Sequence, residues 1–245
     1  DLITAYDSGG ITGLGNEAVT VTGADYTVAQ LKAINNATTG AIVLAEPIGA
    51  LSGTVIDIKS AFAGTITTHT GTIEISDANT TDITATDITT INTSSTGTIT
   101  INNAIDINGS GSEVAAAFAA IDTNTGNATA NITGTDYTVA QLKAINNKTT
   151  GAIVLATSTS EALSGDATDL ADALAGTINY TGNVTVTDNA YTVAELVAIN
   201  AGTTGSITLN TANVALSGTV ADIKLAFAGT ITIHTGTLEI SDAGT

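Results

Sequence analysis

The sequence predicts an α/β fold, a repetitive parallel β/α solenoid of about nine coils of about 27 residues each. Each coil is expected to place a short capped helix on one side and parallel β-sheets on the others. Three observations predict this fold: internal repeats, helix-capping signals at a fixed phase, and short alternating apolar runs. Residues 25–45 return at 136–156 with one change in 21 positions, and residues 51–78 return at 216–243 with four changes.

The period of the repeat follows from two interleaved series of glycines. The first series closes a Thr-Thr-Gly or Ser-Thr-Gly turn and consists of Gly40, Gly97, Gly151 and Gly205. The second lies in Leu-Ser-Gly or a related turn and consists of Gly53, Gly109, Gly165 and Gly218. The full repeat is therefore about 55 residues, built from two half-repeats. We expect one array over 1–245, with half-repeats at about 1–24, 25–50, 51–80, 81–106, 107–135, 136–161, 162–188, 189–214 and 215–245.

Each half-repeat begins with a predicted amphipathic helix. Its apolar positions recur at helical spacing: Val28, Leu31 and Ile34 in one type, and Val55, Ile58, Ala61 and Phe62 in the other. At eight helix starts, a Ser, Thr or Asp lies three residues before an Asp, Glu or Gln, which is the spacing of a capping box. These starts are Thr27, Thr54, Thr84, Ser110, Thr138, Asp166, Thr192 and Thr219.

The helices are expected to end at glycine and to be followed by strands. The predicted helix ends are Gly40, Gly64, Gly97, Gly151, Gly176, Gly205 and Gly229, with Ala120 as the exception. Glycine adopts the left-handed conformation that ends many helices, so Gly40 and Gly151 are predicted to have positive φ. The runs AIVL, TITT, TITI and SITL follow, and their alternation predicts short strands with one face inward. Threonine forms about a fifth of the chain and takes the outward positions, so stacked strands should carry threonine ladders.

Composition excludes several classes of partner. The net charge is −18, with five lysines and no arginine, whereas nucleic acids and anionic membranes need clustered cations. No apolar run is long enough to span a membrane, and no signal peptide is visible.

Neither end carries a polar capping unit, so we expect a stretch of a longer array, with a processed mature protein as the alternative.

The phrases YTVAQLKAINNATTG, YTVAELVAINAGTTG and LSGTVADIKLAFAG carry a resemblance to known proteins. The chain resembles the acidic, Thr/Ala/Gly-rich repeats of very large bacterial surface or secreted adhesin and coat proteins, notably those of marine cyanobacteria. The resemblance covers essentially the whole chain. It implies an extracellular or cell-surface fibre or coat and supplies no catalytic residues.

Few residues could carry chemistry. His69 and His234 share one repeat phase, where other coils hold Asn124 and Tyr180, and we interpret both as surface histidines at strand ends. No Ser-His-Asp spacing and no phosphate-binding loop with a following lysine is present, so we expect no enzyme.

Carboxylates are the candidate metal ligands. Asp77, Asp82 and Asp87 lie in the stretch SDANTTDITATD, and the SDA motif recurs at Asp242. Calcium binds clustered oxygen ligands, so these four residues form the candidate calcium site. The alternative is structural, because acidic residues at helix starts complement the helix dipole without any ion.

Four functions remain open. A structural or adhesive surface array, which self-associates or continues covalently, explains the repetition and the charge. A phage or secreted fibre could recognise a host glycan, although only five Tyr and three Phe could stack on sugars. Threonine ladders suggest an ice-binding protein, and a polysaccharide-cleaving solenoid enzyme is the fourth alternative.

Overall fold

A computed structural model describes residues 15–157 and 162–242. Within these ranges the chain has a mixed α/β fold with eight short helices and several short parallel sheets. The helices are α1 (Val28–Ala37), α2 (Val55–Ala61), α3 (Ala85–Ser94), α4 (Gly111–Ala120), α5 (Val139–Asn146), α6 (Ala167–Ala173), α7 (Val193–Gly202) and α8 (Val220–Ala226). The α/β prediction is confirmed at this level, and all eight predicted helices form.

Fifteen strands, most of three residues, accompany these helices in the same ranges. They are β1 (Val19–Val21), β2 (Ile42–Leu44), β3 (Leu51–Gly53), β4 (Ile73–Ile75), β5 (Asp82–Thr84), β6 (Ile99–Ile101), β7 (Asp106–Gly109), β8 (Thr123–Asn124), β9 (Thr129–Ile132), β10 (Ile153–Leu155), β11 (Leu163–Gly165), β12 (Val184–Val186), β13 (Ile207–Leu209), β14 (Leu216–Gly218) and β15 (Leu238–Ile240).

The chain divides into two compact units. The first holds residues 1–107 and 119–128, and the second holds residues 108–118 and 129–245. The boundary passes through β7 and α4. A single array over the whole chain stays a prediction.

In the first unit, parallel strands pair at intervals of one half-repeat. The order β3–β4–β6–β8 forms one sheet, and β1 pairs with β2. Leu51 lies opposite Ile73, and Ile73 lies opposite Ile99, so like residues stack along the inner face of the sheet. Helix α2 packs between α1 and α3.

The second unit repeats this arrangement. Strands β11–β12–β13 form a sheet, while β9 pairs with β10 and β14 pairs with β15, all in parallel. Helices α5, α6, α7 and α8 pack in sequence order, each against the next. The strands contribute Val, Ile and Leu to the core, and the helices add Leu, Ile and Ala. This thin aliphatic core agrees with the low aromatic content.

The capping prediction is confirmed at seven of the eight helices. Full reciprocal boxes form at Thr27, Thr138 and Thr192, and Ser110 makes the same pair of bonds with Glu113. Thr54, Asp166 and Thr219 accept from the backbone N–H three residues on. Thr84 makes no such bond, and the prediction is wrong there. Thr84 is also the last residue of β5, and its ψ of 126° differs from the 153° to 165° of the bonded caps.

The glycine prediction is correct at one phase and wrong at the other. Gly64, Gly176 and Gly229, which follow the seven-residue helices, have φ near +70°. Gly40 and Gly151 do not have positive φ. Helix α1 ends earlier, at extended Thr38, and a Cβ on Gly40 would collide with the backbone carbonyl of Glu17. Glycine is needed at Gly40 because two backbones approach closely, not because of a left-handed cap.

The TITT and TITI runs after the seven-residue helices form single bridges instead of strands. Ile66 bridges to Ile42, and the next ladder bond is taken over by a side chain: the Thr67 hydroxyl accepts from the N–H of Leu44 at 3.1 Å. Thr232 repeats this contact with Leu209, and Asn179 accepts from Leu155. A side-chain oxygen in place of a carbonyl stops a regular strand from extending.

Candidate functional site

Asp77, a predicted calcium ligand, caps a helix. Its Oδ2 accepts from the backbone N–H of Val55, the first residue of α2, at 2.7 Å, and the residue is only 6% exposed. Asp242 makes the same bond to Val220 at 2.9 Å, and Asp188 bonds Ala167 at the start of α6. An aspartate at this repeat phase, in SDA at Asp77 and Asp242 and in TDN at Asp188, thus supplies a second cap to the seven-residue helices, beside the N-cap oxygen of Thr or Asp.

The other two predicted ligands lie apart from this cap. Asp87, on α3, forms an ion pair of 2.5 Å with Lys59 on α2. Asp82 begins β5 and is exposed. Within residues 15–157 and 162–242, no three His, Cys, Asp or Glu side chains converge in a way that could hold a metal ion. A calcium site at Asp77, Asp82, Asp87 and Asp242 stays a prediction.

The surface interpretation of His69 is wrong, because this residue is completely buried. Its Nδ1 lies 3.3 Å from the hydroxyl oxygen of Tyr26, and the two rings pack edge to face. The ring of Phe62 packs on it at 5.6 Å between centroids. Nε2 of His69 has no hydrogen-bond partner among the described residues. Burial lowers the pKa of His69 below its ordinary value, so the neutral imidazole is favoured.

The second unit builds the same cluster from different residues. Tyr137 takes the place of Tyr26, and Tyr180 takes the place of His69, with their rings edge to face at 6.3 Å. The Tyr180 hydroxyl donates to the carbonyl of Asn183 and accepts from the N–H of Leu163. Its polar atom is therefore satisfied where the histidine leaves one nitrogen without a partner.

The interpretation of His234 as a surface residue is correct only in part. It packs on Phe227 at 5.3 Å between centroids, and both ring nitrogens are buried without a partner among the described residues. The residue as a whole is half-buried, and burial lowers its pKa.

Sequence reasoning missed this aromatic cluster, although a signal was present. Tyr26, Tyr137 and Tyr191 share one repeat phase, and His69, Tyr180 and His234 share another. Ring residues at two fixed phases predict contact when coils stack.

The outward faces of the sheets carry polar residues in register. In the first unit this row is Ser52, Glu74, Thr100 and Thr123, and in the second it is Ser164, Thr185 and Thr208. Thr20 lies opposite Val43. The predicted threonine ladders therefore extend over two residues at most in these pairings, because serine, glutamate or valine interrupts them.

Comparison with known proteins adds no relative. No protein-family model matches the chain, and no curated protein matches it. Every helix in the described part of the chain is too short or too polar to span a lipid bilayer.

Proposed function

We propose that this chain is a structural or adhesive repeat protein outside the cell, forming part of a surface fibre, filament or coat. In this proposal its half-repeats stack as one parallel β/α solenoid of about nine coils. The role is mechanical, so the proposal assigns no catalytic residue and no cofactor.

One observation carries the proposal: the same interhelix contact recurs at equivalent positions. Asn35 on α1 donates from Nδ2 to the carbonyl of Ser60 on α2, Asn146 donates to Asp172, and Asn200 donates to Leu225, each at 2.7 Å. A contact that repeats with the period of the sequence is typical of stacked units. Such stacking favours an extended surface rather than an enclosed catalytic pocket.

Ion pairs follow the same direction along the helices. Lys32 on α1 pairs with Asp57 on α2, Lys59 on α2 pairs with Asp87 on α3, and Lys143 on α5 pairs with Asp169 and Asp172 on α6. In each case the cation lies on the earlier helix and the anion on the later one. Carboxylates outnumber cations in the chain, and the resulting net charge of −18 supports a strongly acidic coat.

An exposed apolar face supports the proposed partners. Val220 is 45% exposed and Ile240 is 60% exposed, whereas their equivalents Val55 and Ile75 are completely buried beneath the following coil. We propose that another β/α coil covers this face, through self-association or covalent continuation of the array. Binding to glycans or to a cell surface would then use the polar outer rows.

Two experiments test these proposals separately. Immunogold labelling of intact source cells with an antibody to the chain is expected to mark surface fibres or a coat, and label confined to the cell interior would contradict the location. Light scattering tests self-association in sodium chloride, in calcium and in chelator, since the −18 charge opposes contact until it is screened or bridged. A monodisperse monomer in all three would contradict self-association.

A further inference from the structure

We propose that His69 makes the first unit acid-sensitive: when its imidazole takes up a proton, the coil formed by residues 51–80 opens. This inference goes beyond the proposed surface role and does not depend on it. It rests on the geometry around a ring that has no exposed surface.

Every element around His69 presents a neutral group to it. Tyr26, from the segment before α1, is the titratable neighbour, and Phe62 at the end of α2 covers one face. Ser95, which follows α3, bridges to the backbone of His69 and donates its hydroxyl to the His69 carbonyl at 3.0 Å. Glu46 is exposed, and its backbone carbonyl accepts from Tyr26.

The charged groups of the neighbouring helices are already paired with one another. Asp57 of α2 accepts from Lys32, and Lys59 of α2 donates to Asp87. A proton on His69 would therefore place a buried charge without a carboxylate partner in the described ranges. In the closed coil, Nε2 makes no hydrogen bond within the described ranges. Burial of an unpaired charge destabilises a protein strongly.

The direction of the pH effect follows from the lowered pKa of His69. Burial is the largest cause, and hydrogen bonding to the backbone of Thr72 and Gly49 acts in the opposite direction. The closed coil resists protonation, whereas the opened coil takes up a proton near the ordinary histidine pKa of about 6.5. Stability is therefore complete above that pH and falls as the pH drops towards the lower pKa of the closed form.

Opening would have a structural consequence for the sheet. His69 lies a few residues before β4 and bridges to Ser95, in the segment after α3. The β4 side chains Ile73 and Ile75 are buried. Loss of this bridge frees the start of β4 and exposes apolar strand surface. Mild acid would thus create an exposed strand edge in the first unit, to which another strand could pair.

The second unit contains a matched control. Tyr180 occupies the position of His69 with its hydroxyl satisfied by two backbone partners, and it carries no charge in mild acid. The substitution His69→Tyr therefore introduces a residue that this fold already accepts at the same phase.

The test is hydrogen exchange of the whole chain at about pH 7.5 and about pH 5.0, corrected for the intrinsic pH dependence. Amides of residues 62–76 are expected to exchange about tenfold faster at the lower pH, because the opened coil binds a proton that the closed coil excludes. Amides of residues 174–187 are expected to change little. His69→Tyr is expected to abolish the acid effect on residues 62–76, and acceleration that persists in this variant would overturn the proposal.

A second measurement stands even if His69→Tyr fails to fold. The ring protons of His69 can be titrated by NMR in the unaltered protein, with His234 assigned separately. Retention of the neutral ring well below about pH 6.5 in the closed form is expected. Titration at or above that value would overturn the proposal.

Discussion

The side-chain amide of Asn35 donates a 2.7 Å hydrogen bond to the carbonyl of Ser60, in the last turn of the neighbouring helix α2. The carbonyl groups of a last helical turn have no partner within their own helix. The side-chain amide of one helix thus supplies a hydrogen-bond donor to the C-terminal turn of the next helix. The asparagine oxygen also lies beside Gly64, the left-handed residue that follows α2.

Replacement of Asn35 by alanine is expected to destabilise the protein by about 1–2 kcal/mol, because it leaves the Ser60 carbonyl without this partner. Urea unfolding of the whole chain measures the change. Asn36→Ala is the matched control, since Asn36 is the adjacent, exposed residue of the same helix. Equal losses in the two variants would contradict a specific role for Asn35.

Local sequence signals predicted the helices well, because capping chemistry acts within one turn. Thr27 with Gln30 and Thr138 with Gln141 form the reciprocal bonds that their spacing indicated. The same logic failed at Thr84, where strand pairing fixes the backbone before the helix begins.

Features that depend on contacts between coils could not be predicted from local pattern. The need for glycine at Gly40 comes from the backbone of Glu17, which lies 23 positions earlier in the sequence. The burial of His69 depends on Tyr26, and the capping role of Asp77 depends on its return to Val55. Knowledge of the stacking register is required before any of these contacts can be inferred.

Two glycine substitutions should separate left-handed conformation from close approach. Gly64→Ala is expected to cost about 1 kcal/mol, because Gly64 has φ of +74° and an added Cβ would meet only a side-chain atom, the Asn35 oxygen at 3.3 Å, and no backbone. Gly40→Ala is expected to cost about 3 kcal/mol, because its Cβ would overlap the backbone at Glu17.

Gly23→Ala is the control for both glycine variants, since Gly23 has open space and lacks positive φ. Denaturant midpoints of the three variants give the comparison. If Gly40→Ala lowers the denaturant midpoint no more than Gly23→Ala does, the close approach of the backbones at Gly40 and Glu17 is contradicted.

Replacement of Asp77 by alanine is expected to lower stability by about 1–2 kcal/mol, because the first N–H of α2 loses its cap. Exposed Asp25 is the control position. The loss is expected to be equal in calcium and in chelator if Asp77 acts as a cap. A loss seen only in calcium would instead support the calcium site.

The ion pairs are expected to contribute little. Asp169 and Asp172 raise the pKa of Lys143, but all three side chains are partly exposed. Lys143→Met should therefore change stability little at low salt, and less still at high salt. A loss that is large and insensitive to salt would show that these pairs are more than surface contacts.

We propose that this protein is a stack of equivalent coils, each stabilised by its neighbours. The most direct measurement is the unfolding free energy of chains that contain one, two and three repeats of about 55 residues. Stability is expected to rise with each added repeat, and the single repeat is expected to be marginal or unfolded, because interfaces between coils supply most of the stabilisation. A single repeat that unfolds at the same temperature as three would contradict stabilisation by neighbouring coils.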